Sequence, residues 1–392
     1  MGSEQDTDTV VSVAILGAGN FANNTYAPIL ETFGDSIRVA AVWSRSEKSV
    51  ASLFDKVSKF STDVTKRFGD DGLDAILDDD EIDAVLIVLP PVIGLDVTMR
   101  ALRKGKHVLQ EKPVGTGIDA VEKALKEYDA MGQWRPLWGL AENYRFEDVY
   151  LQARRIMNEE VGDPVSLNLN ASCALNDSSV YWHTPWRHST TELPEIEGLG
   201  IGYLFEGPVH FMAAVRHLLG RQVASKVSCS ATLLSGKNKE LKQWDTVSGF
   251  MRFDSPTEAD GRGASAIAAG INITYAAALP SVVFTVTCER GNIVIERVPG
   301  KYLMTVSRKE GGRTTRTEHA FTGVSNEIEY FVRGVRAHKK ISGSGPENLR
   351  RKRGFVDQDY PDVAAVQGFR DMACLLTLFK SASTHKVEVF EG

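Results

Sequence analysis

The chain has 392 residues, of which 43% are hydrophobic and 24% are charged, and its formal net charge is −6 at pH 7. This length is sufficient for two domains with separate cores, and the negative charge gives no electrostatic basis for binding nucleic acid or an anionic membrane. Residues 1–9 lack the basic and apolar parts of a signal peptide, and the longest apolar run, Ala84 to Leu95, is too short to span a bilayer. The four cysteines include no CxxC pair and are typical of reduced thiols, so we expect a cytoplasmic protein.

The first predicted element is a compact apolar strand, Val11 to Leu16, followed directly by the sequence GAGNFA (17–22). This is the G-x-G-x-x-A form of the dinucleotide-binding fingerprint, lying between a strand and a helix as the motif requires. The first glycine permits a tight turn, the second lets the backbone approach a pyrophosphate, and the alanine allows close packing of helix and strand. The helix N-terminus adds N–H groups and a positive dipole end. The alternative is a glycine-rich turn that binds nothing. The predicted cofactor contacts are Gly17, Gly19, Asn20, Phe21 and Ala22.

The second predicted strand, Ile37 to Trp43, ends in the sequence SRSEK (44–48). At this position an acidic residue would bind the 2′-hydroxyl of the adenosine ribose. Here a small hydroxyl is followed by a guanidinium, which can bind a 2′-phosphate through two parallel hydrogen bonds. We therefore predict NADP(H) as the cofactor, with Ser44, Arg45 and Lys48 near the phosphate. The alternative is that Arg45 stacks on the adenine or is solvated.

Strands continue to alternate with helices up to residue 145, which predicts a doubly wound parallel sheet. The strand Asp83 to Leu89 is continuously apolar after its first residue, as in strands buried on both faces, and the prolines after it rigidify a loop that would pass beneath a nicotinamide. The strand Lys106 to Leu109 runs into QEKP (110–113). Because such sheets bind ligands at the carboxyl ends of their strands, Lys112 is predicted to meet both cofactor and substrate. The predicted cofactor contacts at these strand ends are Leu89, Pro90, Glu111, Lys112 and Asn143.

The second half of the chain is rich in β-branched residues, glycine and threonine. Candidate strands at Val165 to Ala171 and between residues 225 and 321 predict a large, mostly antiparallel open sheet. Amphipathic helices at Asn326 to His338 and Val363 to Lys380 close the chain. The predicted fold class is therefore α/β, with an N-terminal Rossmann domain (1–145) and a C-terminal α+β domain (146–392) for substrate binding and oligomerisation.

The stretch 178–220 contains the other candidate catalytic residues. Pro208 suits the first turn of a helix, and Glu206 lies one turn ahead of His210. A carboxylate beside a histidine fixes its tautomer and raises its basicity, so we predict Glu206 and His210 as a catalytic pair. The alternatives are a capped or solvated histidine, a carboxylate that serves only the helix dipole, or metal ligation with His217. The metal is disfavoured because no compact pattern of a third ligand accompanies these residues. Four further residues are expected to line the pocket: Tyr181, Trp186, Arg187 and Tyr203, with Trp186 and Arg187 also predicted to contact the cofactor.

Four blocks of the sequence resemble the Gfo/Idh/MocA family of oxidoreductases in order and spacing: GAGNFA (17–22), EIDAVLIVLP (81–90), ALRKGKHVLQEKP (101–113) and EGPVHFMAAVRHLLG (206–220). The resemblance extends over essentially the whole chain and is strongest to a fungal branch of NADP-linked members. It implies that Lys112 contacts both substrate and nicotinamide, that His210 exchanges a proton with the substrate oxygen, and that Glu206 replaces the family's usual aspartate. It also implies a homo-oligomer, a dimer or a tetramer.

The sequence departs from the family pattern at Gly94, where a histidine is usual, at Glu206, and at Pro208, where a glycine is usual. Because a displacement of about 1 Å can cost on the order of 100-fold in rate, these departures favour a specialised substrate. The predicted function is NADP(H)-dependent hydride transfer to or from a small-molecule carbonyl or alcohol, with no metal. Two alternatives stay open: an isomerase, lyase or hydrolase using bound cofactor without net redox change, and a cofactor-sensing transcriptional regulator.

Overall fold

The computed structural model describes residues 10–175, 182–188, 192–220, 226–235, 244–254, 266–342 and 364–391. The chain separates into two compact units. The first comprises Met1–Ala141 and Val324–Gly368, and the second comprises Glu142–Gly323 and Phe369–Gly392. The domain boundary expected at residue 145 stays a prediction.

The first unit alternates strands and helices. Its strands are β1 (Val11–Leu16), β2 (Ile37–Ser44), β3 (Thr65–Phe68), β4 (Ala84–Ile87), β5 (His107–Glu111) and β6 (Trp138–Ala141), and its helices up to that point are α1 (Ala27–Thr32), α2 (Glu47–Val57), α3 (Gly69–Leu77), α4 (Pro91–Arg103) and α5 (Ile118–Ala130). A π-helical segment, Ala22–Tyr26, leads into α1, and a 3-10 turn, Gly34–Ser36, follows it.

The six strands form one parallel sheet in the order β3-β2-β1-β4-β5-β6. β1 and β4 are buried along their whole length, as expected for apolar strands covered on both faces. The strand order reverses between β1 and β4, and open sheets of this kind bind ligands outside the carboxyl ends of the strands at such a point. The prediction of a Rossmann-type parallel sheet is confirmed.

His107, at the start of β5, is buried, and its ring contacts other residues of the first unit. Its Nδ1 accepts a hydrogen bond from the backbone N–H of Leu137 (2.9 Å), and the ring of His338 stands edge-on at 4.7 Å between centroids. Burial, together with the nearby charges of His338 and Lys339, lowers the pKa of His107 to about 3. The imidazole is therefore neutral in the folded protein throughout the physiological range.

We expect this buried histidine to make the first unit less stable in mild acid. The unfolded chain binds a proton at His107 below about pH 6.5, whereas the folded chain does not, so stability falls as the pH drops below that value. The loss attributable to this residue is about 1.4 kcal/mol at about pH 5.5. His107→Asn keeps an acceptor for Leu137 and removes the titration, so urea unfolding of this variant should depend less on pH. Equal pH dependence in the two proteins would contradict the assignment.

The second unit begins with a 3-10 turn, Asn143–Arg145, and contains most of the remaining elements. The chain continues through α6 (Asp148–Ile156), a π-helical segment (Met157–Val161), β7 (Pro164–Ala174), a 3-10 turn (Pro185–His188), β8 (Glu192–Leu193), β9 (Ile196–Gly200), α7 (Tyr203–Glu206), α8 (Pro208–Leu219), β10 (Lys226–Ser235), β11 (Trp244–Asp254), β12 (Ala266–Thr274), β13 (Ala276–Cys288), β14 (Gly291–Val298), β15 (Lys301–Arg308), a 3-10 turn (Glu310–Gly312), β16 (Thr314–Ala320), α9 (Gly323–Ser342), α10 (Ala365–Thr384) and β17 (Glu388–Glu391).

Nine of these strands form one sheet in the order β16-β15-β14-β13-β7-β12-β11-β10-β17. Neighbouring strands are antiparallel except for β7 and β12, so the predicted large, mostly antiparallel sheet is confirmed. Side chains of β7 alternate: Leu167 and Leu169 are buried, whereas Asn170 faces the opposite side and accepts a hydrogen bond from Asn272 (3.1 Å). The core of this unit therefore lies on one face of the sheet.

Two features expected from composition also appear in the structure. All four cysteines are unbridged, and Cys229, Cys288 and Cys374 are buried, as predicted for reduced thiols. Within the described residues no helix is long and apolar enough to cross a membrane.

Candidate active site

The glycine loop at residues 17–22 joins β1 to the first helical segment. Gly17 has a φ of +116°, and a Cβ at this position would clash with the carbonyl oxygen of Val88, so glycine is required. A Cβ on Gly19 would meet nothing within 4 Å, which means that another molecule can approach the backbone closely there. Ala22 is fully buried where the helix packs on the sheet. The local geometry thus fits the pyrophosphate contact predicted from the sequence.

The end of β2 presents a cluster of hydroxyl groups. Ser49 lies 2.7 Å from Ser44 and 2.9 Å from Ser46, measured between the Oγ atoms, and Ser46 caps α2 by accepting the Ser49 N–H (3.3 Å). Arg45 and Lys48 are exposed beside this cluster. Hydroxyls, a helix N-terminus and a guanidinium are suitable donors for a phosphate. The carboxylate of Glu47, which would oppose an anion, is paired with Lys66 (3.2 Å).

The ends of β4 and β5 carry the other candidate cofactor residues of the first unit. Leu89 and Pro90 are partly exposed ahead of α4, and Glu111 accepts a hydrogen bond from the hydroxyl of buried Tyr26 (2.9 Å). Lys112 is also partly exposed, and its peptide bond to Pro113 is cis.

The amide of Gln110 supports the segment that contains Lys112. Its Oε1 accepts hydrogen bonds from Thr98 (3.0 Å) and the indole of Trp138 (3.1 Å), and its Nε2 donates to the carbonyl oxygen of Val114 (2.9 Å). Because Gln110 is almost completely buried, these bonds satisfy its polar atoms and fix the turn that follows Lys112.

In the second unit His210 is held by a buried carboxylate. Its Nδ1 lies 2.6 Å from Oε1 of Glu142, which is fully buried and also accepts the backbone N–H of Tyr144 (3.2 Å). The ring of Tyr144 stacks on the imidazole, with centroids 4.9 Å apart and planes inclined by 19°. A carboxylate on Nδ1 fixes the tautomer, so that Nε2 is the nitrogen that can exchange a proton.

Glu206, predicted from the sequence to orient His210, has its carboxylate on Arg187. The guanidinium donates from Nε to Oε2 (3.3 Å) and from Nη2 to Oε1 (3.2 Å), and it lies 4.3 Å from the ring centroid of Trp186. As expected from the sequence, Pro208 lies in the first turn of a helix, α8, and Glu206 lies just ahead of it, at the end of α7. The carboxylate found on Nδ1 of His210 is Glu142, 68 residues earlier.

The second unit also contains Tyr203, another predicted pocket residue, and Asn143, a predicted cofactor contact. Tyr203 is buried, stacks on Trp182 with ring centroids 6.0 Å apart, and has its pKa raised to about 12 by burial. Asn143 donates a hydrogen bond to Glu147 (3.4 Å). Tyr181 lies outside the described residues. Among the described residues, no group of three or more His, Cys, Asp or Glu could hold a metal ion.

A buried charge cluster ties together the elements that carry Glu142 and His210. Arg145, on the turn after Glu142, and Arg216, on the same helix as His210, both ion-pair with Asp371 of α10. All three side chains of this cluster are at most 5% exposed. The cluster therefore cross-links the turn, α8 and α10.

Comparison with known proteins agrees with this architecture. A family model described as "Oxidoreductase family, NAD-binding Rossmann fold" matches residues 11–134. These residues belong to the Gfo/Idh/MocA family. The dehydrogenase FPY6 of Fusarium mangiferae is 26% identical over 384 residues, which cover 95% of this chain and 97% of the relative.

Two solved oxidoreductases show the same fold over nearly the whole chain. One is the 3-ketoreductase KijD10 from Actinomadura kijaniata in complex with NADP and TDP-benzene (TM-score 0.66, 18% identity, covering 94% of this chain and 96% of that one). The other is an oxidoreductase from Agrobacterium radiobacter in complex with NAD⁺, L-tartaric acid and magnesium (TM-score 0.70, 14% identity, covering 97% and 98%). The expected fold is therefore confirmed, and so is the expected resemblance to the family, which the family model shows for residues 11–134.

Sequence reasoning missed several residues that the structure shows at the two candidate sites. Glu142 and Tyr144 follow β6 directly, so the rule that functional residues lie at the carboxyl ends of strands could have identified them, as it identified Asn143. Ser46 and Ser49 have the three-residue spacing of a helix cap and its contact, which was a usable signal for the hydroxyl cluster.

Proposed function

We propose that the protein is an NADP(H)-dependent oxidoreductase that interconverts a carbonyl and an alcohol on a small molecule. The observation that carries this proposal is the contact of 2.6 Å between His210 and the buried carboxylate of Glu142, in a chain whose first unit belongs to an oxidoreductase family. When bound, the nicotinamide would donate or accept the hydride.

In this proposal His210 moves the proton. With Nδ1–H bonded to Glu142, neutral His210 accepts a proton at Nε2 from an alcohol as it is oxidised, and the imidazolium returns it to the oxygen in reduction. The stacked ring of Tyr144 keeps the imidazole plane fixed, so that the donor direction is set before substrate binds. Glu142 takes the orienting role that the sequence assigned to Glu206.

Lys112 is proposed to polarise the reacting oxygen. An ammonium near that oxygen stabilises the negative charge that develops on it during hydride transfer, which is a major source of rate enhancement in enzymes. The hydrogen bonds of Gln110 to Val114 and to neighbouring elements support this part of the chain and keep Lys112 in register. Arg187, fixed by Glu206 and stacked on Trp186, is proposed to line the substrate pocket.

The preference for NADP(H) over NAD(H) is proposed from the end of β2. The hydroxyl of Ser49 is hydrogen-bonded to those of Ser44 and Ser46 beside the exposed residue Arg45, and the nearby carboxylate of Glu47 is paired with Lys66. A ribose 2′-phosphate would receive charged and neutral hydrogen bonds here, whereas a 2′-hydroxyl would leave most of these donors in water.

Arg45→Ala is expected to weaken NADPH binding by about 10- to 100-fold, the range for losing one charged hydrogen-bonding group, and to leave NADH binding within about twofold. The measurement is a fluorescence titration of cofactor-free protein with each nucleotide. Lys59→Ala, an exposed cation just beyond the other end of α2, is the control and should change neither affinity. A wild-type preference for NADH would contradict the phosphate assignment, and no binding of either nucleotide would contradict the proposed function itself.

A further inference from the structure

Helix α2 makes hydrogen bonds to both loops that the proposed function assigns to the cofactor's phosphates. At its start, Ser49 contacts the hydroxyls of Ser44 and Ser46. Farther along, the Ser52 hydroxyl donates to Oδ1 of Asn23 (3.1 Å), and the Lys56 ammonium donates to the carbonyl oxygen of Asn23 (2.9 Å). The spacings of three and four residues place Ser49, Ser52 and Lys56 on one face of the helix.

Asn23 is the residue through which α2 reaches the glycine loop. Its Nδ2 donates to the carbonyl oxygens of Ala18 (3.0 Å) and Gly19 (3.1 Å), and its backbone N–H also donates to Gly19 (3.1 Å). Its side-chain oxygen is engaged at the same time by Ser52. The side-chain amide of Asn23 therefore connects two consecutive carbonyl groups of the loop to Ser52 of helix α2.

These bonds fix which way the loop's N–H groups point. In a planar trans peptide the C=O and the following N–H are antiparallel. Since the carbonyls of Ala18 and Gly19 are directed to the Asn23 amide, the N–H groups of Gly19 and Asn20 are directed to the opposite side. The backbone at Gly19 is also approachable, since even a Cβ at this residue would meet nothing within 4 Å. Two preset donors on an approachable backbone are what a pyrophosphate oxygen requires.

We propose that Asn23 and Ser52 are positioning residues for the cofactor: Asn23 sets the Gly19 and Asn20 amides for the pyrophosphate, and Ser52 locks Asn23 to α2. This inference rests on the proposed function, because the ligand is taken to be a nicotinamide dinucleotide. It goes beyond the fingerprint, in which neither residue has a part, and it makes α2 the link between the pyrophosphate loop and the hydroxyl cluster at the end of β2.

The test is a set of affinities for three nucleotides, NADPH, NADH and ADP, by fluorescence for the first two and calorimetry for ADP. Asn23→Ala removes both carbonyl contacts and should weaken all three by a similar factor of about 10, because all three contain the pyrophosphate. Ser52→Ala should weaken the affinity for all three nucleotides by about threefold. Ser52→Thr retains the hydroxyl and should bind all three nucleotides with the wild-type affinity. Asn24→Ala is the matched control, since exposed Asn24 has a contact of only 3.4 Å to Lys56 and should change affinity by less than about twofold.

A second readout needs no nucleotide. Hydrogen exchange of the backbone amide at residue 23, which donates to the carbonyl oxygen of Gly19, should be faster in Asn23→Ala than in Asn24→Ala, because the loop is no longer held. If the wild-type protein binds the nucleotides and Asn23→Ala binds them with the same affinity, the positioning role of Asn23 is wrong, but the proposed function is unaffected. Weakening confined to NADPH would also overturn that role, by assigning Asn23 to the 2′-phosphate. Failure of the wild-type protein to bind any of the three nucleotides would overturn the proposed function with it.

Discussion

Replacing Asp371 with alanine is expected to lower the free energy of unfolding by about 3–5 kcal/mol, the range found when one partner of a buried ion pair is removed. Asp371 is completely buried and ion-paired with both Arg145 and Arg216. Burial raises the pKa of Asp371, and the two guanidinium groups oppose that effect by stabilising the charged carboxylate. Without the carboxylate, two buried guanidinium groups would lose their shared ion-pair partner.

Urea unfolding would measure the loss, and the same unit offers a matched control. Asp254→Ala removes a carboxylate whose partner, Arg252, has a side chain that is 66% exposed, so the expected loss is below about 1 kcal/mol. The triple replacement Asp371→Leu, Arg145→Met and Arg216→Met should recover much of the stability, because a packed apolar cluster needs no compensating charge. A loss for Asp371→Ala as small as that for Asp254→Ala would show that the cluster does not hold these elements together.

Most of the fold could be predicted because its determinants are local in sequence. β1 and β4 are continuous apolar runs, and the glycine loop between β1 and the first helix has steric requirements that Gly17 meets by itself. The richness in β-branched residues between about residues 225 and 319 likewise marks most strands of the second sheet by their own composition, but β17 (Glu388–Glu391) was not among the predicted strands. Such signals do not depend on which elements meet in space.

The pairings at the candidate site could not be predicted for the opposite reason. Glu142 and His210 are 68 residues apart, and Asp371 lies 226 residues from Arg145, so no spacing rule connects them. The four-residue spacing of Glu206 and His210 suggested that these two side chains meet, whereas the carboxylate of Glu206 binds Arg187 and that of Glu142 lies on Nδ1 of His210. Residue types at strand ends indicated candidate site residues, but only tertiary packing decides which carboxylate reaches the histidine.

Because the carboxylate on Nδ1 of His210 is that of Glu142, we predict a large and specific effect of Glu142→Gln on turnover. A glutamine amide can donate to Nδ1 of His210, which would favour the tautomer with hydrogen on Nε2, and that tautomer cannot accept a proton from the substrate. We expect kcat to fall by about 100- to 10,000-fold, the contribution of general acid/base catalysis, with NADPH binding unchanged. The measurement follows NADPH consumption with a carbonyl substrate identified by screening.

Glu206→Gln is the control that separates the two carboxylates. Its partner is Arg187, so the charged hydrogen bonds lost are those that hold a residue proposed to line the pocket. The expected result is a rise in KM of about 10-fold with a small change in kcat, since binding and not proton transfer is impaired. If instead Glu206→Gln abolished turnover and Glu142→Gln were fully active, the pairing expected from the sequence would be the working one. The contact between Glu142 and His210 would then be purely structural, because a carboxylate that orients a catalytic histidine cannot be neutralised without cost to the proton transfer.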